Sequence, residues 1–395
     1  MDLHILLNIF ILFSLTLLII IVCNFFKIPH LVGYLIAGII LSPNTTSLLS
    51  AAHEVEVYAE IGVILLLFTV GLEFSFGNLK KIKKYVLLGG FMQVILTIII
   101  TAGLIMLMGR QVQESVFWGF VTALSSTAIV IKILQDRVKL NTPHGKVVLA
   151  VLLFQDIIIV PLMLFTPLLA GEGDSPLIEI GMLILKLGLI ALIAWILARF
   201  IIPRLLYQVM KIQSQEVFLI ASIAIVTGIT VLTSWMGLSL ALGAFISGLI
   251  IAETDYNRLA ISCFLPFRYV FISFFFISMG MLLNYRVFIE QFQSILFWLT
   301  FILSVKIAAG FLAGTTLKVG LRTSLMVGLA LAQIGEFSFL LARYGLDYKL
   351  ISTINYQVFL AVSIITMAVT PFVLNNLENI TSSLVKLRKR IWKTA

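Results

Sequence analysis

The chain has 395 residues, 61% of them hydrophobic and 11% charged, with a mean hydropathy of +1.14. That composition excludes a soluble enzyme and has room for about thirteen membrane-crossing helices of about 20 residues each, joined by short connections. The net charge of +9, from 27 Lys and Arg against 18 Asp and Glu, would suit nucleic acid in a soluble chain, but it sits in short loops between apolar runs and so excludes that partner here.

The 26 glycines among long apolar runs fit close helix packing rather than a barrel of alternating strands, so the expected fold class is an all-α polytopic membrane protein. In chain order, spans are expected at 3–24, 31–49, 57–76, 85–108, 115–135 and 147–169. The second half continues with 177–198, 216–233, 237–252, 269–284, 292–316, 323–343 and 351–377. The first run lacks a basic leader and carries Asp2 and His4, so it reads as a span and not as a cleaved signal. Cys23 and Cys263 are too few and too isolated for a disulfide framework or a metal cluster. With no long linker or low-complexity tract, residues 1–385 are expected to form one membrane domain, followed by a basic cytoplasmic tail at 386–395.

Twenty of the 27 Lys and Arg residues fall in alternate loops on one side, among them Lys27, Lys80, Lys81, Lys83, Lys84, Arg137 and Lys139. The opposite loops hold Arg110, Arg286, Arg343 and Lys349, and they collect Glu54, Glu56, Glu172 and Asp174. Cytoplasmic loops carry the cationic excess, which puts the N-terminus outside and the C-terminus inside. Lys132, Lys186 and Lys306 remain within spans.

An ionisable side chain at membrane depth is costly and marks a candidate site. Asp156 lies mid-span in Leu153-Phe154-Gln155-Asp156-Ile157-Ile158, and Lys306 lies mid-span in Leu303-Ser304-Val305-Lys306-Ile307. Glu336 falls in the twelfth span and Lys132 near the inner end of the fifth, while Lys186 reads as structural. One reading makes Asp156 and Lys306 an ion pair that only packs the bundle. The preferred reading is proton coupling, because burial disfavours a carboxylate's charge whereas a nearby ammonium favours it. A single buried carboxylate holding either a proton or a monovalent cation can drive exchange if it faces each side in turn, with Lys306 as the counter-charge of the empty site. Gln155, Ser125, Ser126 and Thr127 are the candidate oxygen ligands for potassium or sodium at Asp156, since a hard monovalent ion takes carboxylate, amide, hydroxyl and carbonyl oxygens.

Two small, polar segments interrupt apolar spans: Thr122-Ala123-Leu124-Ser125-Ser126-Thr127-Ala128 in the fifth and Leu331-Ala332-Gln333-Ile334-Gly335-Glu336-Phe337 in the twelfth. Their composition fits helices that unwind at mid-membrane and present N–H and C=O groups to an ion. If spans one to six repeat as eight to thirteen, the fifth maps onto the twelfth, and the odd spacing makes the repeats inverted. Glu336 and Lys132 are then expected to neutralise the half-helix ends.

These motifs resemble the Kef-type glutathione-gated potassium efflux systems of the monovalent cation:proton antiporter-2 (CPA2) family. The resemblance runs over nearly the whole chain, through Phe68-Thr69-Val70-Gly71-Leu72-Glu73, the two interrupted segments, Gln155-Asp156 and Phe275-Phe276-Ile277-Ser278-Met279-Gly280-Met281. Related sodium/proton exchangers tend to have Asp-Asp where this chain has Gln155-Asp156, so by analogy Gln155 favours potassium. The resemblance implies a sodium/proton antiporter-like fold with two crossed discontinuous helices. It implies a homodimer in which an ion-carrying core, including 85–169 and 292–377, moves against a dimerisation domain, with Asp156 the exchange carboxylate and Lys306 its partner. Nucleotide or glutathione regulation would need a cytoplasmic nucleotide-binding domain or subunit, which this sequence does not include. The loop 253–268 keeps part of the family's regulatory loop, but with Ala260-Ile261-Ser262-Cys263-Phe264-Leu265 where that loop is more acidic.

The expected function is potassium/proton antiport in a bacterial or archaeal cytoplasmic membrane, with no cofactor, no enzymatic activity and the lipid bilayer as surroundings. A sodium/proton antiporter is the first alternative, and a gated potassium channel the second, although no ring of carbonyls or like charges is legible.

Overall fold

A computed structural model of the chain describes residues 3–42, 45, 52–73, 84–171, 181, 188–189, 192–236 and 239–383. Among the described residues every regular element is a helix. Nine helical stretches among the described residues are long and apolar enough to cross a membrane, and four shorter apolar helices accompany them there: His30–Leu41, Glu60–Leu72, Leu240–Ala252 and Leu321–Ala330. Lys186 and the expected tail at 386–395 lie outside the described residues.

The chain divides into two compact units. The first comprises residues 1–47, 81–170 and 281–395. It contains α1 (Leu3–Phe25), α2 (His30–Leu41), a π-helical turn Tyr85–Gly90 leading into α4 (Phe91–Leu107), α5 (Val112–Ala123), α6 (Thr127–Asp136) and α7 (Pro143–Ala170). It continues with α12 (Arg286–Glu290), α13 (Phe292–Thr316), α14 (Leu321–Ala330), α15 (Glu336–Asp347) and α16 (Thr353–Asn375). Two triplets of the same order emerge: a continuous helix (α4, α13), an interrupted one (α5 with α6, α14 with α15), and a second continuous one (α7, α16). In each triplet the first helix packs along the first half of the interrupted one. Where α13 meets α14, a Cβ at Gly310 would lie 2.8 Å from Gly328 Cα, so only glycine lets the backbones approach this closely. Val130, Leu134, Val148, Leu152, Val327 and Leu331 belong to one buried apolar cluster that ties α6, α7, α14 and the second interruption together.

The second unit comprises residues 48–80 and 171–280. It holds α3 (Ala52–Glu73), the helical run Leu192–Met210 that ends in α8 (Ile202–Met210), α9 (Gln215–Trp235), α10 (Leu240–Ala252) and nearly all of α11 (Asn257–Leu282). Phe68, Leu72, Ile202, Leu206, Phe218, Ile251 and Phe264 form its core.

Two segments read from sequence as loops are helical. The run from Leu192 continues to Met210 through Arg199 and Arg204, because Ile202 and Leu206, four residues apart, are buried while Leu205 and Tyr207 face outward. Likewise α11 begins at Asn257, so most of the stretch read as the loop 253–268 is helix. Ala260 and Phe264, again four apart, are buried and hold that face against the core, which explains why the apolar sequence there is not solvated.

Candidate ion-binding site

The site is built where the two interrupted helices meet. α5 stops at Ala123, Leu124 and Ser126 take extended backbone angles, and α6 starts at Thr127 with the Ser126 side chain accepting from the N–H of Ile129 at 3.3 Å. Ser126 is therefore an N-cap, a task suited to a small hydroxyl. α14 stops at Ala330, and α15 starts at Glu336 after an extended Gly335. The two breaks are hydrogen-bonded to each other: Ser125 Oγ donates to the carbonyl of Leu331 at 2.8 Å, and the Gly335 N–H donates to the carbonyl of Leu124 at 3.2 Å. A third tie comes from α16, where Thr366 Oγ1 accepts the N–H of Ile334 at 3.3 Å. In hydrocarbon such backbone groups must find partners within the protein, and the two breaks satisfy one another.

Each half-helix end carries a partial charge. Lys306, fully buried on α13, donates from Nζ to the carbonyls of Thr122 at 2.7 Å and Leu124 at 2.8 Å. It thus caps the carbonyl end of α5. Glu336, 7% exposed, is the first residue of α15 and stands at the N–H end of that half-helix. The expectation that Lys132 neutralises a break is corrected by its position: it lies five residues into α6 on an exposed surface, and the cation at the carbonyl end is Lys306. Lys306, expected from sequence as the partner of Asp156, gives hydrogen bonds from its ammonium to two main-chain oxygens at the end of α5.

Asp156 is 9% exposed on α7, and its Oδ1 accepts the Thr127 hydroxyl at 2.9 Å. Thr127 opens α6, so the carboxylate is held at the positive end of a half-helix. Five residues further, Pro161 lacks an N–H, which leaves the Ile157 carbonyl without its usual helical donor one residue beyond the carboxylate. Gln155 is turned into the protein: its Oε1 accepts the Ser125 N–H at 2.8 Å and its Nε2 donates to Gln93 Oε1 at 2.7 Å. Asp156, Gln155, Ser125, Ser126, Thr127 and Lys306 thus converge on the first break, with Glu336 at the second and Lys132 away from both.

The sequence reading missed the contribution of α4. Gln93, Thr97 and Thr101 recur every four residues, share one face and are fully buried. Gln93 reaches Gln155 and the Ala123 carbonyl, and Thr101 bonds to Thr122 at 3.1 Å. That polar stripe of period four in an otherwise apolar span was the available signal.

Interrupted helices that cross within a bundle, with ionisable groups at their ends, define a secondary ion transporter of the broken-helix class. Residues 11–377 match the sodium/hydrogen exchanger transmembrane family, and the chain belongs to it. It is 31% identical over 351 residues to K(+) efflux antiporter 5 of Arabidopsis thaliana, covering 87% of this chain and 61% of that protein. It is 33% identical over 357 residues to K(+) efflux antiporter 6 of the same plant, covering 87% of this chain and 58% of that one. The chain therefore spans about three-fifths of these curated relatives. The structure superposes on the sodium proton antiporter MjNhaP1 from Methanocaldococcus jannaschii with a TM-score of 0.65 at 17% identity, covering 96% of this chain and 98% of that one. The fold is shared, and the relatives' names agree with the resemblance to potassium efflux systems read from the motifs.

Proposed function

We propose that this chain is a potassium/proton antiporter working by alternating access, with Asp156 exchanging one potassium ion for one proton. The observation that carries the reading is the setting of Asp156: a carboxylate at the start of α6, bonded to Thr127 at 2.9 Å and 9% exposed, beside the crossing of two interrupted helices. The names of the potassium efflux relatives support the choice of ion, as does the amide at Gln155. The bonding of Lys306 to the Thr122 and Leu124 carbonyls supports a one-for-one, electroneutral cycle. In the proposed cycle its charge stays with the end of α5, so the charge that changes is that of Asp156.

In this cycle the ionised carboxylate takes up potassium with oxygens of the first break, the loaded site becomes accessible from the other side, and a proton displaces the ion before the return. The proposal includes inverted repeats, an outward N-terminus with an inward C-terminus, a homodimer, and residence in a bacterial or archaeal cytoplasmic membrane. It includes no enzymatic activity and no cofactor. Proton flux from purified protein in liposomes tests it, with potassium or sodium added in turn, for wild type and Asp156→Asn. Potassium-driven flux that needs Asp156 and ignores a clamped voltage is expected. Sodium preference would replace the ion, and potassium movement without proton movement would overturn antiport.

A further inference from the structure

A directed chain of hydrogen bonds runs beside Asp156. The Ser125 N–H donates to Gln155 Oε1 at 2.8 Å, and Gln155 Nε2 donates to Gln93 Oε1 at 2.7 Å. Gln93 Nε2 then donates to the Ala123 carbonyl at 3.2 Å and to Thr97 Oγ1 at 3.1 Å. Gln93 and Thr97 are fully buried and Gln155 is 1% exposed, so no bulk water substitutes for these partners. The chain begins at a main-chain N–H, which can only donate, and ends at a main-chain carbonyl, which can only accept. Both ends belong to the first break, two residues apart. The Thr97 hydroxyl proton is committed to the Gln93 carbonyl at 2.8 Å, so its oxygen is available to accept. Every amide atom of Gln93 is therefore assigned, and turning either amide over would oppose donor to donor or oxygen to oxygen.

We infer that Gln93 is a positioning residue for ion selection: by fixing the amide of Gln155 it holds the first break in shape beside Asp156 and requires a neutral donor at position 155. An ionised carboxylate at 155 could accept from Ser125 but would face Gln93 Oε1 with no proton to offer. If Gln93 turned to meet it, its own oxygen would meet the Ala123 carbonyl and leave a buried acceptor unpaired. Ion preference is thus encoded by the pair 93 and 155 together. This inference rests on the reading of Asp156 as the exchange carboxylate.

The test is a double-mutant cycle of Gln93→Met, Gln155→Met and the double variant in liposomes, reading the potassium KM and the turnover at saturation, with potassium-dependent thermal stabilisation of purified protein as a binding readout independent of flux. Gln93→Met should raise the potassium KM about tenfold, change saturated turnover less, and add nothing further in the Gln155→Met background. Gln93→Glu keeps the shape and the acceptor for Gln155 but can donate to Ala123 only when protonated. It should acquire an alkaline limb in the KM profile that wild type lacks, and it carries the test if Gln93→Met fails to fold. An unchanged KM in folded Gln93→Met, equal effects in both backgrounds, or a wild-type pH profile for Gln93→Glu would overturn the inference. Wild-type flux that does not need Asp156 would instead overturn the antiport reading.

Discussion

The Lys306 ammonium lies 2.7 Å from the carbonyl oxygen of Thr122 and 2.8 Å from that of Leu124, so the cation that α13 brings to this crossing is bound to backbone. Removing it leaves two buried acceptors at a helix end, at about 1–3 kcal/mol each. Lys306→Met should lower the melting temperature of the purified protein by several degrees, and Lys306→Gln, whose amide still donates, should recover part of it. If Lys306 were the obligatory partner of the exchange carboxylate, Lys306→Gln would abolish flux as completely as Asp156→Asn. The expected result is residual exchange that still depends on Asp156.

Thr127 gives the Asp156 carboxylate a charge-assisted hydrogen bond at 2.9 Å. Such bonds contribute about 1.5–3 kcal/mol, and about 1.4 kcal/mol corresponds to tenfold in affinity. Thr127→Val keeps the volume and loses the donor, so it should weaken potassium uptake about tenfold or more, measured as KM in liposomes. Thr127→Ser should stay within about twofold of wild type, and a Ser variant as impaired as Val would mean that the methyl, not the hydroxyl, matters.

Gly335 is required by contact rather than by backbone angle. Its φ of −98 is open to any residue, yet a Cβ there would lie 2.5 Å from the Ser125 carbonyl carbon. Gly335→Ala must push the two breaks apart and should lose exchange and thermal stability together. At Gly103, on α4, an added Cβ would meet nothing within 4 Å, so Gly103→Ala should be neutral or gain up to about 1 kcal/mol from helix propensity. Comparable losses at the two positions would show that the close crossing is not what Gly335 serves.

The interruptions were legible because small polar residues replaced apolar ones at mid-span, and Asp156, Lys306 and Glu336 were legible because charges there are rare. What each charge touches was not. A sequence marks Lys306 as buried but cannot say whether its ammonium turns to a carboxylate or to the end of α5. Nor does a charge mark the end of a helix: Arg199, Arg204 and Arg258 lie within helical runs whose other faces are apolar and packed. Gln93 escaped notice because a neutral amide among threonines carries no charge to signal it, and only its spacing with Thr97 and Thr101 points to a shared face.

Outside the spans, Lys139 Nζ lies 2.5 Å from Glu378 Oε1, linking the connection between α6 and α7 to the segment after α16, and Arg137 adds a bond to the Asn375 carbonyl at 3.1 Å. The hydrogen bond and charge of Lys139 hold the Glu378 carboxyl below its ordinary value of 4.5, with Arg322 and His144 adding to the effect. A carboxyl lowered in the folded state contributes stability above its unfolded value, and that contribution is lost as pH falls through the folded value. Glu378 is 55% exposed, so solvent and salt screen the pair and its effect is small. Glu378→Gln should therefore melt slightly below wild type at pH 7 in low salt, and the gap should close both as pH falls through the lowered folded value and in high salt. Lys139→Met should reproduce the same gap at pH 7, and a difference that persisted at acidic pH would assign the contact to packing instead of charge.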